Sequence, residues 1–195
     1  MKSRLHKDER YEQLLELAHQ IIDEEGTDAL TLISLADKAG VTKPIPYRHF
    51  GNRKSLLYTL FQDVLKNLSR NMREGINQEA HSLDDAIDVF AKTYMSCFSE
   101  HGKSCFSVIA ALQAYPEYAK IDLELQAFFC RTLAASLAPF LPKNRQVPDV
   151  TLMMIFGATC CVGNMFLNQL ISKEDVIKNI THLMRKLIND EEYNP

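Results

Sequence analysis

From Tyr11 onward the chain repeats its apolar residues at the spacing of a helix: Leu14, Leu15, Ala18, Ile21 and Ile22 fall at i, i+3, i+4 and i+7, with Glu12, Glu16, Gln20 and Asp23 on the other side. A 3.6-residue period gathers such positions on one face, whereas a strand would need strict alternation. The same period recurs almost to the end, and alternating stretches are hard to find. An all-α fold follows, and 195 residues are enough for one domain or two small ones sharing an interface.

Helix ends can be placed as well. Gly26 suits the end of the first helix, and Thr31 caps a short second one carrying Leu32, Leu35, Ala36 and Ala39, closed by Gly40. Thr42 is expected to cap a third helix over 43–50. Pro44 and Pro46 lie in its first turn, where amide groups have few intrahelical acceptors and proline costs little. Asn52 is expected to cap a fourth, with Leu56, Leu57, Leu60, Phe61, Val64, Leu65 and Leu68 as its stripe. Further helices are expected over 82–101, 103–114, 116–137, 149–170 and 172–189, the last with Ser172 and Asp175 spaced as a capping box. The expected total is nine.

A formal net charge of -3 speaks against binding nucleic acid or anionic lipid by bulk charge. The local distribution of charge points the other way. Up to residue 70 there are 11 Lys/Arg and 10 Asp/Glu, and after it 11 and 15. No carboxylate lies between Lys38 and Phe61, a stretch that holds Lys43, Arg48, Arg53 and Lys54, and Lys2, Arg4, Lys7 and Arg10 gather at the N-terminus. A small helix, a tight Gly-containing turn and a second short helix bearing cations are what a helix-turn-helix needs, and hydroxyl, aromatic and basic groups suit phosphate oxygens. The competing reading, a solvated charged face on a bundle, does not account for the order of turn, caps and charges.

Between Asp149 and Lys173 no charged residue occurs, a run long enough to cross a bilayer. Asn164, Asn168 and Gln169 would be costly in lipid, so the run is expected to be an interior or subunit-interface helix, with no membrane partner. The five cysteines Cys97, Cys105, Cys130, Cys160 and Cys161 have no metal-ligand spacing, so neither a metal nor a cofactor is expected. A polar N-terminus without an apolar signal segment makes a reducing cytoplasm the simplest setting. The thiols are then expected to be buried and free, with oxidation sensing as the alternative. Asp84, Asp85 and Asp88 could share a helix face, but no E-x-x-H, G-x-S-x-G, H-E-x-x-H or Gly-rich loop accompanies them. They are expected to be solvated surface; an enzyme is the less favoured class, with no catalytic residue expected.

The Ala39-Gly40-Val41-Thr42 turn, the Tyr47-Arg48-His49-Phe50 sequence and Gly51-Asn52-Arg53 followed by Leu56-Leu57 together resemble the TetR family of bacterial transcriptional regulators. The likeness is detailed over the first third and elsewhere agrees in length and helical pattern. It implies a helix-turn-helix domain over 1–54, a connector helix over 53–74 and an effector-binding and dimerisation domain over 75–195. The implied DNA contacts are Thr31, Thr42, Lys43, Pro44, Ile45, Tyr47, Arg48, His49, Arg53 and Lys54. Of these Tyr47 and His49 match phosphate-touching positions, and Lys43, Pro44, Ile45 and Arg48 are the candidates for base edges. Pro44-Ile45-Pro46 and Lys54 depart from the usual pattern. An effector pocket is implied, with Phe90, Tyr94, Phe98, Phe106, Met153 and Phe156 as lining and His101, Gln113, Tyr115 and Asn164 as polar groups; plain core is the alternative for each. The last two helices would form the dimer interface through Gly157, Cys161, Gly163, Phe166, Leu183 and Leu187. The implied function is a homodimeric repressor that binds a palindromic operator in double-stranded DNA and is released by a small apolar or amphipathic ligand.

Overall fold

The computed structural model describes residues 6–189; Lys2 and Arg4 of the basic N-terminus lie outside them. The helices run α1 Lys7–Glu25, α2 Leu32–Ala39, α3 Pro44–Phe50, α4 Arg53–Glu79, α5 Leu83–Gln113, α6 Ile121–Leu137, α7 Asp149–Leu167 and α8 Lys173–Asn189. Short 3-10 turns occupy Thr27–Ala29, Pro116–Tyr118 and Ala138–Phe140. Every regular element among the described residues is helical, which agrees with the sequence period.

Among the described residues the count is eight α-helices and not nine, because 82–101 and 103–114 form the single helix α5. Gly102, read as a break, lies inside it. A Cβ at Gly102 would come within 3.0 Å of the Phe98 ring, so the missing side chain makes room for an aromatic and does not end the helix. The 116–137 stretch is divided instead, with a 3-10 turn at its start and α6 beginning at Ile121.

Other ends fall where capping chemistry puts them. The Ser34 amide donates to Thr31 Oγ1 and the Thr31 amide to Ser34 Oγ, both at 2.9 Å, a reciprocal box at the start of α2. Asn52 Oδ1 accepts from the Ser55 amide at 2.9 Å, and Ser172 Oγ from the Asp175 amide at 3.0 Å. Gly40 is left-handed (φ 63°), a backbone few other residues accept, and this sets the turn between α2 and α3. Thr42 does not cap α3; the flanking residue is Lys43, in helical conformation, and no side chain caps that end.

Two compact units result. One holds the described residues up to Val64 together with Lys103–Ile121, the other Leu65–Gly102 and Asp122 onward, so the division falls within α4 and α5. In the first unit α1 packs on α2 and α2 on α3, over a core that includes Leu14, Ala18, Leu30, Leu35, Leu56 and Leu60, all fully buried. The second is built from the rest of α4 and α5 with α6–α8. Its aromatic centre is Phe90, Tyr94 and Phe129, with Phe129 edge-on to both partners at 5.4 and 5.1 Å. Arg185 of α8 donates to Asp84 at 2.7 Å and Asp88 at 2.8 Å on α5, so two of the carboxylates expected to be solvated surface tie helices together.

The uncharged α7 is long and apolar enough to cross a membrane by length and composition. It packs on α8 and buries Thr151, Leu152, Ile155, Thr159 and Gly163. It is not enclosed on several faces, however: Val150, Met153 and Met154 are 60%, 50% and 43% exposed, and Met165, near its C-terminal end, is exposed as well.

Candidate nucleic-acid interface

The helix-turn-helix places α3 by its two inward residues. Pro46 and Phe50, four apart, are buried, which turns Lys43, Pro44, Tyr47 and Arg48 to solvent. Pro44 occupies the first helical position, and the first turn is closed by the Ile45 amide donating to the Thr42 carbonyl at 2.9 Å. Pro46 therefore breaks no helical bond, and its ring contributes to the core. Ile45 is half-buried beside this outward face.

The outward face is cationic and unneutralised. Neither Lys43 nor Arg48 has an ion-pair partner among the described residues. Tyr47, 48% exposed, stands between them. His49 is half-buried, its ring 6.0 Å from Tyr11 of α1 and 6.1 Å from Phe50. Burial first, then the charges of Lys7, Arg48 and Arg10, hold its imidazole below the ordinary histidine range. Lys7 and Arg10 thus add their field to α3. In the sequence they stand only as terminal charges, since nothing short of the α1–α3 packing shows that they arrive at this helix.

Three of the expected contacts have their side chains engaged within the protein. Thr31 spends its hydroxyl on the α2 cap. Arg53 donates Nε to the Leu30 carbonyl at 2.8 Å and Nη2 to the Thr27 carbonyl at 2.7 Å, with Asp28 3.7 Å away, so it braces the turn that precedes α2. Lys54 pairs with Glu117 and lies 5.8 Å from the centre of the Tyr115 ring, while Tyr58 stacks on Tyr118 at 4.8 Å. The pairing raises the Lys54 pKa and lowers that of Glu117. Its partner is 63 residues away in sequence, beyond any local pattern. Thr42 contributes a backbone carbonyl to α3, and its side chain is exposed. Lys38, part of the carboxylate-free count, is paired with Glu24 of α1.

The residues expected to line an effector pocket are only partly brought together. Phe90, Tyr94, Phe98 and Phe156 join Phe129 in a packed aromatic cluster, and the sequence pattern alone did not single out Phe129. Met153 and Asn164 are exposed on α7, whereas Phe106, Gln113 and Tyr115 belong to the other compact unit, with Gln113 exposed. Two cavities in the second unit lie elsewhere. One, of about 500 Å³, is bordered by α4 and α6; the other, of about 340 Å³, by α4 and α5, with His101 at its edge. For the dimer, Gly157 and Cys161 are exposed and Phe166, Leu183 and Leu187 partly so. Gly163 faces inward instead: a Cβ there would come 2.6 Å from Phe98 Cζ, so its smallness serves the core and not a subunit contact.

Residues 14–59 match the family model of bacterial regulatory proteins of the TetR family. FasR, an HTH-type transcriptional activator of Mycolicibacterium smegmatis, is 35% identical over 110 residues, 55% of this chain and 48% of that protein, so the match spans about half of FasR. The fatty acid metabolism regulator protein of Bacillus subtilis is 25% identical over 152 residues, 76% of this chain and 78% of that one. Among solved structures, the fatty acid degradation regulator FadR of Bacillus halodurans shares the fold with a TM-score of 0.69 at 20% identity, over 89% of this chain and 93% of FadR. A TetR-like regulator from Rhodococcus sp. RHA1 does so with 0.69 at 16%, over 96% and 100%. The chain thus carries, over residues 14–59, a segment that matches the TetR family of bacterial regulatory proteins, on a helical fold that it shares with solved TetR-type regulators.

Proposed function

We propose that the protein is a cytoplasmic homodimeric repressor that binds a palindromic operator through α3 and is released by a small amphipathic ligand. The observation that carries the DNA reading is the outward face of α3, where Lys43 and Arg48 stand without carboxylate partners among the described residues and Lys7 and Arg10 add to the field. Arg48 is assigned to guanine O6 and N7, which its planar fork fits, and Ile45 and Pro44 to apolar contact such as a thymine methyl. Lys43 reaches the adjoining base edges or phosphate. Tyr47, His49 and Thr42 are assigned to phosphate, and Thr31, Arg53 and Lys54 to the same strand's backbone only through the elements they hold in place.

The exposed apolar side chains of α7 support a two-fold interface with α8. Such a dimer would set its two α3 helices about 34–36 Å apart, or a multiple of that spacing. The names of the Bacillus subtilis relative and of FadR support a fatty-acid-derived effector. For release, that ligand must favour the DNA-free state by its own differential affinity.

Selection of bound sequences from a random DNA pool, followed by mobility shift, tests the reading. Enrichment of a palindrome bound by a dimer is expected. Failure to enrich any symmetric site would refute it.

A further inference from the structure

The larger cavity, about 500 Å³, lies between the later turns of α4 and the middle of α6. Its floor is mainly apolar: Met72 and Ile76 are buried and Phe128 half-buried, and the buried Ser136 beside them donates its hydroxyl to the Thr132 carbonyl of its own helix. At its edge stand Arg73 of α4 and Arg131 of α6, both exposed and neither ion-paired among the described residues. No carboxylate among the described residues borders it. The cavity on the next face of α4 is the opposite in character, bordered by Glu74, Glu79 and Glu100. Neighbouring residues of a helix point about 100° apart, which is how Arg73 and Glu74 come to serve cavities of opposite charge.

We propose that the α4–α6 cavity is a binding site for an amphiphile with an anionic head, a carboxylate or a phosphate monoester. The assignment deepens the effector reading above and rests on it. Two guanidinium groups from separate helices can each donate paired N–H bonds to the oxygens of such a head, whether the planar pair of a carboxylate or two oxygens of a tetrahedral phosphate. The methionine, isoleucine and phenylalanine surface takes the tail, with the free energy coming from apolar area removed from water. A bare anion would leave that floor wet, and an uncharged lipid would leave the arginines unused. The volume falls within the range of small-molecule sites.

Calorimetric titration of the dimer below micelle-forming concentrations tests this, with dodecanoate, dodecyl phosphate and dodecanol as probes. Whichever of the two anionic probes binds more tightly identifies the head. Binding by at least one of them is expected, with dodecanol about tenfold weaker or more. The double variant Arg73→Gln/Arg131→Gln should weaken the anionic probe about tenfold or more, and Ala135→Phe, which fills the cavity without altering either charge, should weaken it similarly. Glu74→Gln/Glu100→Gln in the neighbouring cavity should leave it unchanged. Equal binding of dodecanol, undiminished binding by both cavity variants, or no binding of either anion overturns the site. Mobility shift on the same samples separates this from the reading it rests on. Arginine-dependent binding that leaves DNA bound keeps the site and removes the effector role, and release of DNA without any dependence on Arg73 and Arg131 does the reverse.

Discussion

Helices α3 and α7 both turn unsatisfied side chains toward water, but of opposite kinds. α3 presents Lys43, Tyr47 and Arg48 around two buried anchors, whereas α7 presents Val150, Met153 and Met154 around a buried edge that packs on α8. A cationic face without carboxylates loses nothing in water and gains when counterions leave a phosphate backbone. An exposed apolar stripe is unfavourable until another apolar surface covers it. The first therefore awaits DNA and the second a protein surface, for which a second copy of the chain is the proposed occupant. In the proposed dimer the two are coupled, since a palindromic operator would reward paired recognition helices through effective concentration.

The largest effect should come from the apolar side of this comparison. Met153→Glu/Met154→Glu places carboxylates on exposed positions, so the single chain should keep its fold while the dimer dissociates. Sedimentation equilibrium should show monomers, and operator affinity should fall about a hundredfold or more as bivalency is lost. A dimer that survives this change would move the interface off α7. On the cationic side, Arg48→Ala should cost about 1–3 kcal/mol and relax preference at one operator position, while Tyr47→Ala should weaken all sequences about equally. If Arg48→Ala weakened every sequence alike, Arg48 would be a phosphate contact and not a base reader.

Between these helices, the first unit is much the more legible in sequence. The boundaries from the start of α2 to the start of α4 follow from Thr31, Gly40, the prolines and Asn52, all acting within four residues, and the exposed face of α3 follows once Pro46 and Phe50 are inside. What stays hidden there is long-range. That Arg53 binds the Leu30 and Thr27 carbonyls, and Lys54 pairs with Glu117, depends on packing that no local spacing encodes. In the second unit the helical period marks the elements, but glycine is ambiguous: Gly102 falls between two expected helices and Gly163 among the expected interface residues, and both make room for Phe98. The aromatic stripe on α5 likewise reads as pocket or core, and Phe129 of α6 decides for a packed cluster. Cys97 and Cys160 show the same dependence on context. Burial pushes both thiols up to about 11, so neither is a thiolate at neutral pH, which leaves the oxidation-sensing alternative little support at those two positions.

Gly163→Ala probes that ambiguity with a smaller effect. The added methyl must displace the Phe98 ring in a filled core, at about 1–3 kcal/mol, lowering Tm by roughly 2–4 °C for each kcal/mol. Dimerisation should be unchanged. A loss of dimer at unchanged Tm would return Gly163 to the interface.

The smallest effect concerns the edge of the cationic face. Within the free protein His49 meets Tyr11, Lys7 and Arg10 from α1 and Phe50 and Arg48 from its own helix, and burial with the three cations favours the neutral ring. A DNA phosphate beside the imidazole would favour the charged ring, so the pKa rises on binding and a proton is taken up. Operator affinity should therefore strengthen as pH falls from about 7.5 to about 6, by about two- to fivefold, within the tenfold per pH unit that one proton allows. Stability runs the other way. Because the folded-state pKa lies below the unfolded value, the contribution of His49 is complete above about 6.5 and is lost as pH falls through the lowered folded value. Affinity measured over the range where the melting curve shows the protein still folded separates the two. His49→Gln should flatten the affinity profile while keeping a hydrogen-bonding group; an identical slope in that variant would assign the proton to another residue and withdraw His49 from the phosphate.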